Sequence, residues 1–310
     1  WNEDKVLEKF KELNFSRYID RFNLKESKEE KKIEDLFELE IINENEINDI
    51  IKQIENDKIL IYYIETEEDN NSNKIIKKKI ISISIYNDKK VKYIKIKEDN
   101  FIKYFKKIFE DENIKKYGHK LCQDYVLLRQ IGIDTKGYAY DTEVASYDIS
   151  PTNVKHEIEQ LANQYLGLYY SDYIKEEVKE RQINLFEEKA DDNVEIKTCA
   201  LQVYVINELI DKMKQELCKI EEMELFNNIE IPMIEILGKM QYNGIKIDKE
   251  ELNDFGKDVK KKIDKLAKQI YELCGEEFNI NSTQQLGNIL FEKLKLTVYK
   301  KNKKRIFYRC

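Results

Sequence analysis

The segment from Phe278 to Leu296 has residue types at a spacing suited to binding an anion. Ser282 fits the N-cap position of a helix and Gln285 the third helical position, which is the pattern of a capping box. The first N–H groups of such a helix have no partner within the helix and attract phosphate groups. Apolar residues follow at helical spacing at Leu286, Ile289, Leu290, Phe291 and Leu294. Polar side chains beside the helix start are Asn279, Asn281 and Thr283.

The residues after this helix are strongly basic, although the chain as a whole has a net charge of −7. Residues 295–310 contain no acidic side chain. Their basic side chains are Lys295, Lys300, Lys301, Lys303, Lys304, Arg305 and Arg309. An ordinary capped helix that binds nothing is the alternative interpretation of the helix start. A basic segment next to it favours contact with a nucleic-acid backbone.

Two long motifs resemble the bacterial family A DNA polymerases. The sequence FNINSTQQLGNILFEKLKL, followed by KKNK, is similar to the start of that family's thumb, with Gln284 where Lys is usual. The run IEIPMIEILGKMQYNGIKID, residues 229–248, is similar to the entry into the polymerase domain. The resemblance implies that the thumb contacts the backbone of duplex primer-template DNA. The residues implied are Asn279, Asn281, Ser282, Thr283, Lys300, Lys301 and Lys303.

In this family the palm aspartates and the fingers helix lie downstream of the thumb, beyond Cys310 in this sequence. We therefore expect no polymerase activity and no cofactor for this chain, whereas the complete family polymerase uses Mg²⁺. The family also continues past KKNK differently from residues 304–310 here. Codons can be chosen for residues 304–310 that, after removal of one base, encode Asn-Gly-Tyr-Ser-Thr-Asp, which is the continuation typical of the family. We therefore interpret this end as the product of a single-base insertion. An unrelated basic tail is the alternative.

The resemblance also implies a 3′–5′ exonuclease-like domain, in which carboxylates bind two divalent ions. The first nuclease motif aligns with Glu65-Thr66-Glu67, with Glu where Asp is usual at its first position. In the second motif, GHKLCQD, Asp124 takes the acidic position and Lys120 stands where Asn is usual. The third motif, YxxxD, falls where Ile196 and Ala200 stand, so its Tyr and Asp are absent.

We expect these departures to abolish nuclease activity. A lysine near a metal position opposes Mg²⁺ binding, and the acidic position of the third motif is lost. The remaining catalytic and metal-binding candidates are Glu65, Glu67 and Asp124, which we interpret as a vestigial acidic face. An active stand-alone exonuclease and a noncatalytic scaffold are the alternatives.

The periodicity predicts an α/β fold, and the resemblance makes it ribonuclease H-like, followed by long antiparallel thumb helices. Strands are predicted at 59–66, 80–86, 91–96 and 138–140, and a long helix from Asp248 to Gly275. Residues 1–56 are predicted to be a helical lead-in and connector. The exonuclease-like domain is predicted at 57–215 and the truncated start of the polymerase domain at 216–310.

The composition excludes several other classes of protein. No apolar run reaches the roughly 18 residues of a membrane span, and no signal peptide is evident. The sequence has five cysteines without a CxxC motif and only two histidines, which argues against a zinc site. We expect a cytoplasmic, nucleoid-associated bacterial protein that is a monomer and does not contact membranes.

Overall fold

The structure is a computed structural model that describes residues 5–6, 9–10, 22, 33–69, 75–152, 155–170, 173 and 192–296. Among these residues, six strands form one mixed sheet in the order β1-β4-β3-β2-β5-β6. The strands are β1 (Glu38–Ile41), β2 (Ile59–Glu68), β3 (Lys78–Asn87), β4 (Lys90–Lys95), β5 (Lys115–Gly118) and β6 (Tyr138–Asp141). Neighbours β2, β3 and β4 pair antiparallel, whereas β1 pairs parallel with β4, β5 with β2 and β6 with β5.

The sequence predicts four of the six strands that the structure describes. β2, β3, β4 and β6 are confirmed, and a two-residue turn at Asp88 and Lys89 joins β3 to β4. Both turn residues have positive φ, at 49° and 63°, which matches the right-handed twist of a hairpin.

Two strands lie where the sequence predicts none. β1 falls in the segment interpreted as short helices, and β5 has the sequence KKYG. Both have only four residues, two of them charged, which is too short for an alternation to identify a strand. β1 pairs in parallel with β4, and β5 pairs in parallel with β2, so each forms along a strand that is distant in sequence.

Helices cover both faces of this sheet. They are α1 (Ile47–Asp57), α2 (Glu98–Glu110), α3 (Leu121–Gln130), α4 (Thr142–Ile149), α5 (Ile158–Leu161), α6 (Asp192–Lys219), α7 (Met223–Leu225) and α8 (Ile231–Asn243). Wider helical turns at Ala162–Leu166 and Phe226–Glu230 extend α5 and α7, and short 3₁₀ turns occur at Ile33–Asp35 and Glu44–Glu46.

The two side chains that identify the faces lie on β2. Tyr62 packs edge-on against Phe109 of α2 with ring centroids 5.1 Å apart, whereas Glu65 contacts Cys199 of α6. Residues an odd number apart on a strand point to opposite faces, so α2 and α6 cover opposite sides. The α/β fold class is therefore confirmed.

The sheet-containing part of the chain extends to Gly244. Its last helix, α8, packs against α3, and a Cβ at Gly238 would lie 2.4 Å from the Tyr125 ring, so glycine permits this close approach. The domain boundary predicted near residue 216 falls inside α6, whereas the contacts divide the chain into 1–244 and 245–310.

The second unit contains the long predicted helix, α9 (Lys249–Cys274). The Asp248 carboxylate accepts hydrogen bonds from the N–H groups of Glu250 and Glu251 at 3.0 and 3.1 Å, and Gly275 ends the helix with φ 72°. A shorter helix, α10 (Thr283–Gly287), continues through a wider turn at Asn288–Lys293. Residues 245–296 contain no second helix as long as α9.

No described helix is both long enough and apolar enough to span a bilayer.

Candidate functional site

Glu65 and Glu67 lie on β2 as predicted, and each has a side-chain partner within the protein. The Cys199 thiol of α6 donates to Glu65 Oε2 at 3.4 Å. Burial is the main cause that raises the pKa of the Cys199 thiol, and the adjacent Glu65 raises it further, so the thiol stays protonated. Glu67 pairs with Lys79 of β3 at 2.9 Å, with both side chains about half exposed.

Asp124 lies in the first turn of α3, beside the phenol of Tyr62. Burial raises the pKa of its carboxyl to about 8, with Tyr62 partly opposing the rise. The Tyr63 hydroxyl, on the other face of β2, lies close to Glu65 and feels the charge of Asp124. The carboxyl groups of Glu65 and Asp124 therefore both lie close to Tyr63, and that of Asp124 also lies beside Tyr62.

Lys120, which stands where the family motif has Asn, keeps a left-handed backbone conformation and gains an acidic partner. It precedes α3 with φ 61° and ψ 40°, a left-handed conformation that Asn tolerates more readily than Lys. Its Nζ binds Glu157 Oε2 at 2.6 Å, on a loop before α5. The cation is thus held by a carboxylate at the start of the helix that carries Asp124.

The residues present do not fit a two-metal nuclease centre. Such a centre needs several ionised carboxylates aimed at two ions about 3.5 to 4 Å apart. Here Glu65 accepts from a thiol and Glu67 pairs with a lysine. Ala200, at the third acidic position, is fully buried. Within the described residues, no three Asp, Glu, His or Cys side chains are grouped to hold an ion.

The structure reveals a carboxylate whose role the sequence did not predict. Asp141, at the end of β6, is buried and accepts four backbone hydrogen bonds. Its Oδ1 accepts from Lys120, Glu143 and Val144 at 3.2, 2.8 and 3.4 Å, and its Oδ2 from Leu121 at 2.8 Å. One side chain thereby caps α3 and α4 together. The sequence Asp141-Thr142-Glu143 indicates an N-cap for α4, but nothing in it indicates that Asp141 also caps α3.

The predicted DNA contacts within the described residues cluster at the start of α10. Ser282 is the N-cap, and its Oγ accepts from the Gln285 N–H at 3.4 Å. The backbone N–H groups of Thr283 and Gln284 have no acceptor among the described residues. The exposed Asn281 side chain stands beside them. Lys300, Lys301 and Lys303 lie outside the described residues.

One of the two hydrogen bonds of the predicted capping box is not formed, because the Gln285 side chain has another partner. The Gln285 side chain accepts from the Asn279 N–H at 2.8 Å rather than from the Ser282 N–H. The Ser282 N–H is already bonded to the Asn279 carbonyl at 2.9 Å, so the glutamine reaches one turn further back. Asn279 Oδ1 accepts from the Asn281 N–H at 3.0 Å, which fixes the loop before the helix.

Two protein-family models match the chain, and they cover the two sites just described. DNA polymerase I, ribonuclease H-like domain, matches residues 62–172, and DNA polymerase family A matches residues 249–309. DNA polymerase I of Bacillus subtilis (strain 168) is 30% identical over 310 residues, covering 98% of this chain and 33% of that protein. The chain belongs to the bacterial family A DNA polymerases.

Other relatives agree with the family A assignment. DNA polymerase I of Caldicellulosiruptor bescii is 28% identical over 312 residues, covering 98% of this chain and 31% of that protein. The chain thus spans about a third of the length of these curated relatives. A solved structure, the POL domain of Pol1 from M. smegmatis in complex with DNA primer-template and dNTP, aligns with TM-score 0.63 at 19% identity. The alignment covers 87% of this chain and 43% of the M. smegmatis chain, and it shows that the two folds are similar.

Proposed function

We propose that this family A chain holds duplex DNA by its backbone through the start of α10, without cutting it. The observation that carries the proposal is that the N–H groups of Thr283 and Gln284 have no acceptor among the described residues and are flanked by exposed asparagines. Unpaired N–H groups at a helix start are donors aimed at an anion, and the helix dipole adds partial positive charge there. A backbone phosphate supplies the matching acceptor oxygens.

The side chains around this helix start support a phosphate ligand. Asn279 uses its Oδ1 within the loop, so its amide NH₂ remains as the donor for a ligand. The nearby carboxylate of Glu276 is paired with Lys293 at 3.2 Å, which reduces repulsion of an anion. Sequence-independent contacts of this kind position a protein on DNA but do not select a base sequence.

The basic segment widens the footprint of this interface. Lys300, Lys301 and Lys303 add phosphate contacts in the proposal, and each phosphate neutralised lowers log K by about 0.9 per tenfold rise in salt. In the cell, such a chain would act in the cytoplasm at the nucleoid, as part of replication or repair. Mg²⁺-dependent synthesis is proposed here only for the complete family polymerase.

Titration of a fluorescent duplex with the chain tests the proposal. We expect weak binding at about 25 mM salt, a loss of at least tenfold by about 150 mM, and equal affinity for two unrelated sequences. Asn281→Ala should weaken binding about fivefold, because one hydrogen bond is worth about 1 kcal/mol. Asn253→Ala, an exposed asparagine on α9, is the matched control and should bind as the unaltered chain does.

Two results would contradict the proposal. Absence of binding at low salt would exclude a DNA-holding role for the chain. Binding that Asn281→Ala leaves unchanged would place the DNA elsewhere and favour the scaffold alternative for α10.

A further inference from the structure

A polar cavity of about 610 Å³ lies between α1 and the edge of the sheet that β1 and β4 form. Two of its lining side chains come from α1 and one from β1, and the rest come from the hairpin of β3 and β4. All of them are charged or carry an amide. The volume is in the range of sites for small molecules, and the polar walls require a polar ligand.

Lys92 is the buried cation of this cavity. It is only 8% exposed, and its Nζ donates to Gln53 Oε1 of α1 at 2.5 Å. The other two N–H groups of this ammonium have no acceptor among the described residues. Glu40, its neighbour across the parallel pair of β1 and β4, accepts instead from Lys90 at 2.7 Å.

A buried ammonium without a carboxylate partner is costly, and an anionic group brought by a ligand would lower that cost. Gln53 adds a second donor for such a group, because its carbonyl is used by Lys92 and its NH₂ is left over. This end of the cavity therefore suits a carboxylate.

The other end of the cavity is acidic. Asp57, the last residue of α1, accepts from Asn87 Nδ2 through its Oδ2 at 3.0 Å, which leaves its Oδ1 as an acceptor. Asp88, at the tip of the hairpin, lines the same cavity. The partial negative charge at the C-terminus of α1 also favours a cation here. This end suits an ammonium group.

The charges of the walls select a ligand that carries both signs. The walls contain three carboxylates, which repel a multiply charged anion such as phosphate, whereas Lys92 repels a simple cation. Gln53 and Asp57 are four residues apart on α1 and therefore lie on one face, about 6 Å apart along the axis. A matching ligand has its carboxylate and its ammonium separated by a similar distance.

We propose that this cavity binds a small zwitterion with separated charges, such as an ω-amino acid or a dipeptide. The carboxylate of the ligand lies on Lys92 and Gln53, and its ammonium lies between Asp57 and Asp88. This site is independent of the proposed DNA contact, because it shares no residue with the start of α10.

Isothermal titration calorimetry of the full chain with 5-aminopentanoate and with glycylglycine tests the proposal. We expect one site per chain, with a dissociation constant of about 1 mM or lower for at least one of the two probes. Lys92→Met should weaken that binding at least tenfold and should still fold, because removing a buried charge is often neutral or stabilising. Lys95→Met, at an exposed lysine of the same strand outside the cavity, is the matched control and should bind as the native chain does.

Two further ligands test the orientation. Pentanoate lacks the ammonium and pentylammonium lacks the carboxylate, so each should bind at least tenfold more weakly than 5-aminopentanoate. Asp57→Asn should weaken binding of the zwitterion but not of pentanoate. Pentanoate that binds as tightly as the zwitterion would overturn the assignment of the ammonium end.

Two results would overturn the site itself. One is the absence of saturable binding of both zwitterions up to about 20 mM. The other is binding that Lys92→Met leaves unchanged, since the ligand would then lie outside this cavity.

Discussion

Replacing Asp141 with alanine is expected to lower the free energy of unfolding of the sheet-containing unit by about 3 kcal/mol. The carboxylate accepts four backbone N–H groups and caps α3 and α4 at once. Each lost cap costs about 1 kcal/mol, and the Leu121 N–H would remain buried without a partner. Burial raises the pKa of Asp141, and the four N–H groups oppose that rise.

Urea unfolding followed by circular dichroism measures this loss. Asp141→Asn keeps one acceptor oxygen and should fall between the native chain and the alanine variant. Asp111 is the matched control in the same unit, because its side chain accepts a single backbone N–H, from Asn113 at 2.9 Å. Asp111→Ala should cost at most about 1 kcal/mol. Equal losses of unfolding free energy for the two alanine variants would show that capping two helices adds no extra stability.

Replacing Lys116 with methionine should remove a pH dependence of stability. Lys116, on β5, is buried, and its ammonium donates to the Asp111 carbonyl at 2.5 Å. Burial lowers the pKa of this lysine to about 7, and Asp111 only partly opposes the change. Between pH 7 and the usual lysine pKa, the unfolded chain binds the proton and the folded chain does not. Stability from this group therefore rises with pH across that window and is flat below it.

Denaturant unfolding at several values between about pH 7.5 and 9.5 tests this expectation. A single proton contributes a slope of at most about 1.4 kcal/mol per pH unit, and Lys116→Met should lose that slope and be more stable than the native chain near pH 7. Lys115 is the exposed neighbour on the same strand and provides the control variant Lys115→Met. An unchanged slope in Lys116→Met would mean that the lysine keeps its ordinary pKa.

The parts of the fold that the sequence predicts are those with a local signal. β2 is rich in β-branched and aromatic residues, β3 alternates in sequence, and α9 has a capping aspartate at one end and a glycine at the other. β1 and β5 have four residues each, and their pairing depends on an edge supplied by a distant strand. Tertiary context decides such strands, so propensity alone does not reveal them.

In the candidate sites, too, the sequence predicts local contacts but not those between residues distant in the chain. Ser282 is recognisable as a cap from its neighbours, whereas the Gln285 contact to Asn279 depends on which N–H is already bonded. The thiol beside Glu65 comes from a residue 134 positions further along the chain. The second helix start capped by Asp141 is likewise distant in sequence. Only the folded chain brings these groups together.

Incubating the chain with a 5′-labelled primer-template and Mg²⁺ or Mn²⁺ tests whether it holds DNA without cutting it, because one sample gives both DNA retention and strand length. We predict that the DNA is retained at low salt and keeps its full length over hours, and that an added single strand also stays intact. The departures at Glu65, Lys120 and Ala200 are the reason. Stepwise shortening of the 3′ end that Asp124→Ala abolishes would instead identify the chain as an active exonuclease.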